Sequence, residues 1–275
     1  MQLSHLQIRN PREDETSPEA AVQIFSSLLS GKHNLFARLF KDIDSFSFEL
    51  FLTGQSIYYY VTVPTRRESL VNSLIQSAYP VSFIQKTSDP LDVVLKNKYT
   101  AVGDMRLRYP FRLPIKTYQE FSDVNPLSSL VGLLSKQEPW YRMILQIIVT
   151  PPTFQWQDKT LASQTKDSID PTTGEVKTTA SSDNSSYLKN KVLFQGGRTA
   201  VRILATSKEK VHDPKILVQN VAGTFGTFGL GEGNHFELRL IRIGKNEMID
   251  RIEERRFTLL EHRTQILNAA ELATL

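Results

Sequence analysis

The sequence predicts an α+β fold built from two ferredoxin-like modules, each with the element order βαββαβ. Three observations indicate this fold: two alternating apolar runs around a glycine turn near residue 54, a helix signal after the second run, and the return of the same order of signals after residue 99. The predicted modules cover residues 1–88 and 99–243, and the second carries a long polar insertion at residues 157–191. A single continuous sheet would contradict two separate modules.

The first module is organised around a hairpin. Apolar residues alternate with polar ones over residues 46–52 and again over 57–63, which is the two-residue period of half-buried strands. Gly54-Gln55 lies between them, and glycine supplies the positive φ that a short hairpin turn requires. Pro64 ends the second strand because it has no N–H group to donate.

The remaining elements of this module flank the hairpin. Residues 65–68, TRRE, form a capping box, and the apolar residues between 70 and 78 fall on one helical face. Residues 81–84 begin another strand. Upstream, residues 3–9 indicate a short strand and residues 17–31 a helix, which completes the six-element order.

The same order of signals returns in the second module. Asn125-Pro126 and Asp213-Pro214 are each typical of a helix start, with a capping side chain followed by proline. The strands predicted around these helices cover residues 104–108, 141–149, 197–207 and 235–243. The two modules share this order of elements without a residue-by-residue repeat.

Two segments lie outside this pattern. Residues 157–191 are rich in Ser, Thr, Asp and Lys and contain few large apolar residues, so we expect disorder or a mobile hairpin tip. Residues 244–275 form a C-terminal segment that we expect to lead to a missing downstream domain. Within it, residues 253–256, EERR, are predicted to lie on a solvated helix face with i,i+4 pairing.

Composition indicates a soluble globular protein. The chain has 275 residues, a formal net charge of +4 and no cysteine, which excludes disulfides, thiol nucleophiles and cysteine-ligated metal sites. No apolar run approaches the ~18 residues of a membrane span, and the first residues lack the apolar core of a signal peptide. We therefore expect a cytoplasmic chain that does not insert into a membrane by itself.

The sequence contains no recognised pattern of catalytic residues. It lacks the G-x-x-x-x-G-K-[ST] motif of a phosphate-binding loop. The glycines at 229, 231 and 233 follow a helix signal and precede a strand signal, which is the reverse of a dinucleotide-binding turn. Five scattered histidines show no spacing typical of a metal site: His5, His33, His212, His235 and His262. We predict a protein that is not an enzyme and that binds no cofactor or metal.

An aromatic row is predicted on one sheet face of the first module. Strand alternation brings Phe51, Tyr58 and Tyr60 together there. RNA-recognition modules of the same topology stack bases on such aromatics, but the glycine- and phenylalanine-rich motif of their third strand is absent here. We favour protein packing, against the second module or another subunit, as the role of these interface aromatics.

An arginine row is predicted on the outer face of the second module. Four arginines should project there from neighbouring strands: Arg106, Arg108, Arg202 and Arg239. Guanidinium groups on a rigid sheet suit phosphate groups or acidic partners. The alternative, which we favour, is an ordinary solvated face partly neutralised by Glu237, because exposed charges are common.

Several stretches together resemble a known family. They are SPEAAVQIFSSLLSG, GQSIYYYVTVP, VNSLIQSAYP, RLPIKTYQEFSDVNPLSSLVGLLSK, LQIIVTPP with the following WQDK, and the closing ILNAAELATL. The set resembles the N-terminal, non-ATPase region of conjugative coupling proteins and HerA/FtsK-type DNA-pumping ATPases of type IV secretion systems from uncultivated small-genome bacteria. The resemblance spans nearly the whole chain, and its most specific parts are LPIKTYQEF, NPLSSLVGLLSK and AELATL.

The resemblance implies a function in assembly. The family usually carries transmembrane helices before this region and a P-loop ATPase after it, and we expect both to lie outside this sequence. The implied role is a non-catalytic assembly or docking region at the inner face of the membrane. The expected partners are other subunits of the translocase, including further copies of this chain, with DNA as another candidate. A stand-alone nucleic-acid-binding protein using the arginine or tyrosine row is the main alternative, and an enzyme with an unrecognised site ranks lowest.

Overall fold

The computed structural model describes residues 2–11, 16–30, 44–121, 125–152, 154–162, 165–169, 176–180, 185–257 and 265–275. Its strands are β1 (Leu3–Arg9), β2 (Phe46–Thr53), β3 (Ser56–Pro64), β4 (Phe83–Thr87), β5 (Tyr99–Leu107), β6 (Tyr141–Thr150), β7 (Thr165–Ile169), β8 (Val176–Ala180), β9 (Gly196–Ser207), β10 (Phe236–Leu240) and β11 (Ile266–Asn268). Its helices are α1 (Glu19–Leu29), α2 (Glu68–Ala78), α3 (Leu91–Leu95), α4 (Ser128–Ser135), α5 (Trp156–Ala162), α6 (Ser185–Val192), α7 (Pro214–Thr224), α8 (Lys245–Glu253) and α9 (Ala269–Thr274).

Local signals placed most of these elements correctly. The β2–β3 hairpin is confirmed, and Gly54 takes the positive φ of 64° that its turn requires. The side chain of Asp213 caps α7 by accepting from the amide of Lys215 at 2.9 Å. The capping box predicted at residues 65–68 is wrong, because no side chain caps the first turn there. The Glu68 carboxylate instead accepts from the hydroxyl of Ser4 on β1 at 2.6 Å and from Lys86 at 2.7 Å.

The strands form one long antiparallel sheet. Its order is β10-β5-β9-β6-β2-β3-β1-β4, with β11 pairing to the start of β9, while β7 and β8 form a separate two-stranded sheet. The strands of the first half and those of the second half meet where β2 pairs with β6, from Phe46 opposite Val149 to Thr53 opposite Arg142. The α+β class predicted from the sequence is confirmed by this mixture of an antiparallel sheet and helices.

The continuous sheet corrects the sequence analysis on one point. Separate modules would each bury their own sheet and meet through side-chain contacts, whereas here backbone hydrogen bonds run across the boundary. The physical reason is that an unpaired edge strand leaves N–H and C=O groups without partners, and pairing two such edges satisfies both. The local signals of β2 and β6 carry no information about this long-range partnership.

One face of the sheet, called the inner face, carries the main core. Alternate strand residues such as Leu50, Leu145 and Ile203 point there and are buried beneath α1, α2, α4, α7 and α9. Gly103 of β5 lets α7 approach closely, since a Cβ atom at this position would lie 2.7 Å from Val218 on that helix.

The opposite face, called the outer face, is covered only in part by described residues. Helices α3 and α8 pack there, and Leu91, Val94, Met248 and Ile252 enclose apolar residues of the central strands. Toward β4 the outer face becomes exposed at Arg9, Tyr58 and Phe83, whereas Gln7 and Thr62 nearby are still buried. This uneven cover divides the outer face into a buried centre and an open side.

Two further segments contain regular structure within the described residues. The described part of residues 157–191 contains most of α5 and α6 and the β7–β8 pair. The expectation of disorder or a mobile hairpin tip stays a prediction, since residues 163–164, 170–175 and 181–184 lie outside the described ranges. The end of the chain also folds back into the molecule, because Leu267, Ala269 and Leu272 are buried in the main core. None of the helices in the described ranges is both long and apolar enough to span a bilayer.

Candidate functional site

The aromatic row lies on the outer face as the alternation predicted, but its members differ in exposure. Tyr58 is opposite Phe51 in the β2–β3 register. Phe51 is 1% exposed because it packs with α3 and α8, and its ring meets the edge of Tyr60 at a centroid distance of 5.2 Å. Tyr58 remains 38% exposed. Phe51 therefore belongs to the core, while the tyrosines lie at its border.

Two residues that the sequence analysis did not single out extend this surface. Phe83 begins β4, is 59% exposed and pairs with Arg9 of β1, which is also exposed. We call Arg9, Tyr58, Tyr60 and Phe83 the platform. The alternation of β4 and its place beside β1 in the ferredoxin-like order could have revealed Phe83, since both put it on the outer face.

The arginine row is interrupted by acidic side chains and by burial. Arg106 donates to Asp104 at 2.7 Å, and Arg108 lies 3.3 Å from Glu237. Arg239 is exposed, but in the β10–β5 register it stands opposite Asp104. These three arginines therefore lie beside carboxylates, of which Asp104 is fully buried and Glu237 is exposed.

Arg202 has a structural position instead of an exposed one. It is fully buried on the outer face of β9, beneath the C-terminal end of α8. Its guanidinium donates to Gln146 at 3.1 Å and to the backbone carbonyls of Arg251 at 3.1 Å and Arg256 at 2.9 Å. A cation bonded to the last carbonyls of a helix stabilises that helix end. The expectation that Arg202 projects to solvent is wrong, because α8 and the residues after it cover this part of the sheet.

A buried ionic network lies beside Arg202 and is centred on Arg255. We define the ionic network as Glu49, Asp89 and Arg255. Arg255 donates through Nε to Glu49 at 3.0 Å and through Nη2 to Asp89 at 2.7 Å, and its side chain is 1% exposed. The predicted solvated face at residues 253–256 is therefore wrong for Arg255, although its neighbours Glu253 and Glu254 are exposed.

Glu49 is the most enclosed member of the ionic network. Its carboxylate is fully buried and also accepts hydrogen bonds from Ser47 at 2.7 Å, Thr62 at 3.1 Å and Gln146 at 3.2 Å. A buried carboxylate is stable only when its lone pairs and its charge are matched in this way. The network therefore fastens the C-terminal segment to β2 and β6, where the two halves of the sheet join.

The pKa shifts follow from this burial and pairing. Burial alone would lower the pKa of Arg255, but Glu49 and Asp89 raise it above its ordinary value. Burial acts to raise the pKa of Asp89, yet the hydrogen bonds and charge of Arg255 hold it below its usual range. Burial lowers the pKa of nearby His5, whose Nδ1 lies 3.0 Å from the Thr62 hydroxyl. Pairing therefore favours the ionised forms of Arg255 and Asp89, while burial favours the neutral form of His5.

This chemistry is that of a structural network and an open surface. In the described ranges, no group of three or more His, Cys, Asp or Glu residues is placed to hold a metal ion. The charged side chains of the ionic network are bonded to one another, and the platform offers aromatic rings and one guanidinium to a partner.

Of the comparisons with known proteins, a family model gives a match. A comparison with curated proteins found no match. A family model described as "Domain of unknown function (DUF8128)" matches residues 2–274. Because that match spans nearly the entire sequence, the chain belongs to the DUF8128 family.

Proposed function

We propose that this chain is a non-catalytic assembly and docking region of a type IV secretion-like DNA-translocating ATPase, made of two ferredoxin-like modules joined edge to edge. The observation that supports the two-module part of this proposal is the strand order. The first half runs β4-β1-β3-β2 and the second half runs β10-β5-β9-β6. When the separate β7–β8 pair is set aside and the strands of each half are numbered along the chain, both halves have the spatial order fourth, first, third, second. Antiparallel strands in this order, with their connecting helices on one face, are typical of the ferredoxin-like arrangement.

The way the halves join supports a scaffold role. The second strand of each half is used in the junction, so β4 and β10 lie at the two ends of the sheet. Helices on the inner face and the ionic network on the outer face both brace this junction. A long sheet braced on both faces holds surfaces at its two ends in fixed positions, which suits a protein that organises other subunits.

The platform is the docking surface in this proposal, and its occupant is another protein subunit of the translocase. Clustered exposed rings with a cation at their edge suit a protein surface that offers apolar side chains and a carboxylate. A nucleic acid would need a continuous basic track. Acidic residues interrupt the arginine row, and Asp89 lies close to the platform side of the sheet.

The translocase context rests on the family resemblance of the sequence. In such a complex the region would lie at the cytoplasmic side of the membrane and position the ATPase relative to its neighbours. The proposal therefore assigns binding to this chain and nucleotide turnover to a separate P-loop domain.

The docking proposal is tested with Tyr58→Ser/Phe83→Ser. The change removes the two most exposed rings of the platform, so binding to the P-loop ATPase encoded in line with or beside this chain should weaken about tenfold or more. Biolayer interferometry with the purified proteins measures this. The control is Tyr109→Ser, since Tyr109 is 49% exposed and lies outside the platform. Unchanged binding of the platform variant, or ATP hydrolysis by this chain alone, would contradict the proposal.

Nucleic-acid binding is the second candidate, favoured by one observation. Arg9 lies directly opposite Phe83 and on the same outer face as Tyr58, an arrangement that could stack bases and hold a phosphate. The same variants should be titrated with labelled single-stranded oligonucleotides and followed by fluorescence anisotropy. Oligonucleotide affinity that is lost only in the platform variant, with ATPase binding intact, would support this second candidate and remove the first.

A further inference from the structure

The edge strand β10 presents unpaired backbone groups on its free side. The backbone carbonyl of His235 accepts from the amide of Arg108, and the amide of Ile241 donates to the carbonyl of Val102. The odd-numbered residues of this strand therefore direct their backbone N–H and C=O groups toward β5. The alternate residues therefore turn their N–H and C=O groups away from the sheet: Phe236, Leu238 and Leu240. No backbone partner for these outward groups occurs among the described residues.

The side chains of β10 are arranged so that a two-fold rotation about Leu238 places complementary side chains opposite each other. Phe236, Leu238 and Leu240 point to the inner face, where Leu238 lies against Gly103 and all three pack against the main core. Glu237 and Arg239 point to the outer face, and both are exposed. Reversing the strand about Leu238 exchanges the acidic position with the basic one and leaves the apolar positions apolar.

We propose that β10 pairs with β10 of a second copy of this chain, antiparallel and with a two-fold axis through Leu238, so that one sheet runs through both copies. In this register Phe236 stands opposite Leu240 of the second copy, and Glu237 stands opposite Arg239. The outward backbone groups of both strands then bond to each other, because both copies turn the even-numbered residues to the shared edge. This pairing goes beyond the docking role proposed above and does not depend on it.

The charges of the β10 side chains determine whether this edge can pair with a second copy or is protected from such pairing. Short edge strands with charged side chains are usually protected from pairing because like charges meet. In the two-fold register of β10 the charges that meet are opposite, and they do so twice. Arg239, which makes no ion pair within the described residues, gains a carboxylate. Glu237, now 3.3 Å from Arg108, gains a second guanidinium.

The other free edge lacks this complementarity. The corresponding two-fold pairing of β4 would centre on Gln85 and place Ile84 opposite Lys86. Lys86 already binds Glu68 of its own chain at 2.7 Å. Self-pairing of β4 would create no new ion pair and would bring a lysine against an isoleucine, so β10 is the edge that fits a second copy.

The test uses charge reversal in the whole chain. Glu237→Arg and Arg239→Glu each place like charges opposite each other, and either change should weaken dimerisation about tenfold. The double variant Glu237→Arg/Arg239→Glu restores opposite charges and should dimerise like the wild type. An equimolar mixture of the two single variants should form heterodimers, since one chain is then basic and the other acidic at the edge. Sedimentation equilibrium over a range of concentrations measures these constants.

The matched control is Lys208→Glu, an exposed residue away from β10 that changes the net charge as much as Arg239→Glu. It should leave dimerisation unchanged. Hydrogen exchange adds a local readout, because the amides of Phe236, Leu238 and Leu240 should be protected in the dimer and exchange faster in the single variants. A wild-type chain that stays monomeric at all concentrations, or single variants that dimerise as well as the wild type, would overturn the proposal.

Discussion

Replacing Arg255 by methionine should lower the free energy of unfolding by about 3–5 kcal/mol. The reason is that Glu49 stays fully buried but loses the guanidinium that neutralises it, while Asp89 loses its partner as well. Removing one partner of a buried ion pair costs more than the pair itself contributes, because the remaining charge has no compensation. Urea unfolding followed by circular dichroism measures the change.

Two controls separate this charge effect from a general loss of packing. Arg256→Met changes the neighbouring arginine, whose side chain is 61% exposed, and should cost less than about 0.5 kcal/mol. The double variant Glu49→Gln/Arg255→Met removes both charges and should be more stable than Arg255→Met alone. If Arg255→Met costs no more than Arg256→Met, the ionic network does not contribute in the way described.

Replacing Lys191 by methionine should have an effect of similar size, about 3–5 kcal/mol. The ammonium group of Lys191 contacts the carboxylate of Glu271, and both side chains are fully buried. It also donates to the backbone carbonyl of Ile266 at 3.0 Å. Burial lowers the pKa of Lys191, although the charge of Glu271 acts in the opposite direction. Methionine keeps most of the side-chain volume and removes only the charge and its hydrogen bonds.

The neighbouring residue on the same helix provides the control for Lys191. Lys189→Met alters an exposed lysine of α6 and should leave the free energy of unfolding within about 0.5 kcal/mol of the wild type. The variant Lys191→Met/Glu271→Gln should recover part of the loss, since Glu271 would no longer be a lone buried charge. Equal stability of Lys191→Met and Lys189→Met in urea unfolding would show that this pair does not fasten α6 to α9.

Sequence patterns identified the elements because their signals are local. The period of two in β2 and β3 and the Asp213 cap of α7 depend on neighbouring residues, and each is present in the structure. Whether a polar strand face is exposed or buried depends on the segments that pack over it, which can be distant in sequence. Alternation assigns Glu49 to a polar face, but residues about two hundred positions later enclose that face.

One signal in the sequence did point to the buried network. Gln146 interrupts the apolar run of β6, and a polar side chain in a strand buried on both faces must have hydrogen-bond partners. It bonds to Glu49, Arg202 and the carbonyl of Ile252. The identity of these partners could not be predicted, since the β2–β6 junction that brings them together is a long-range contact.

The junction of the two halves through β2 and β6 is the central claim, and a cysteine crosslink tests it most directly. The chain has no cysteine, so Thr53→Cys/Arg142→Cys introduces the only thiols. These residues are opposite in the β2–β6 register, where Cβ atoms lie about 4.5–5.5 Å apart. Thr53→Cys/Thr100→Cys is the control. Arg142 is opposite Thr206 on β9, and Thr206 is opposite Thr100 on β5, so residues 53 and 100 are three strand spacings, or about 14 Å, apart. Mild oxidation followed by peptide mass spectrometry should find a disulfide between residues 53 and 142 and none between 53 and 100. A folded protein that forms no 53–142 crosslink would contradict the continuous sheet.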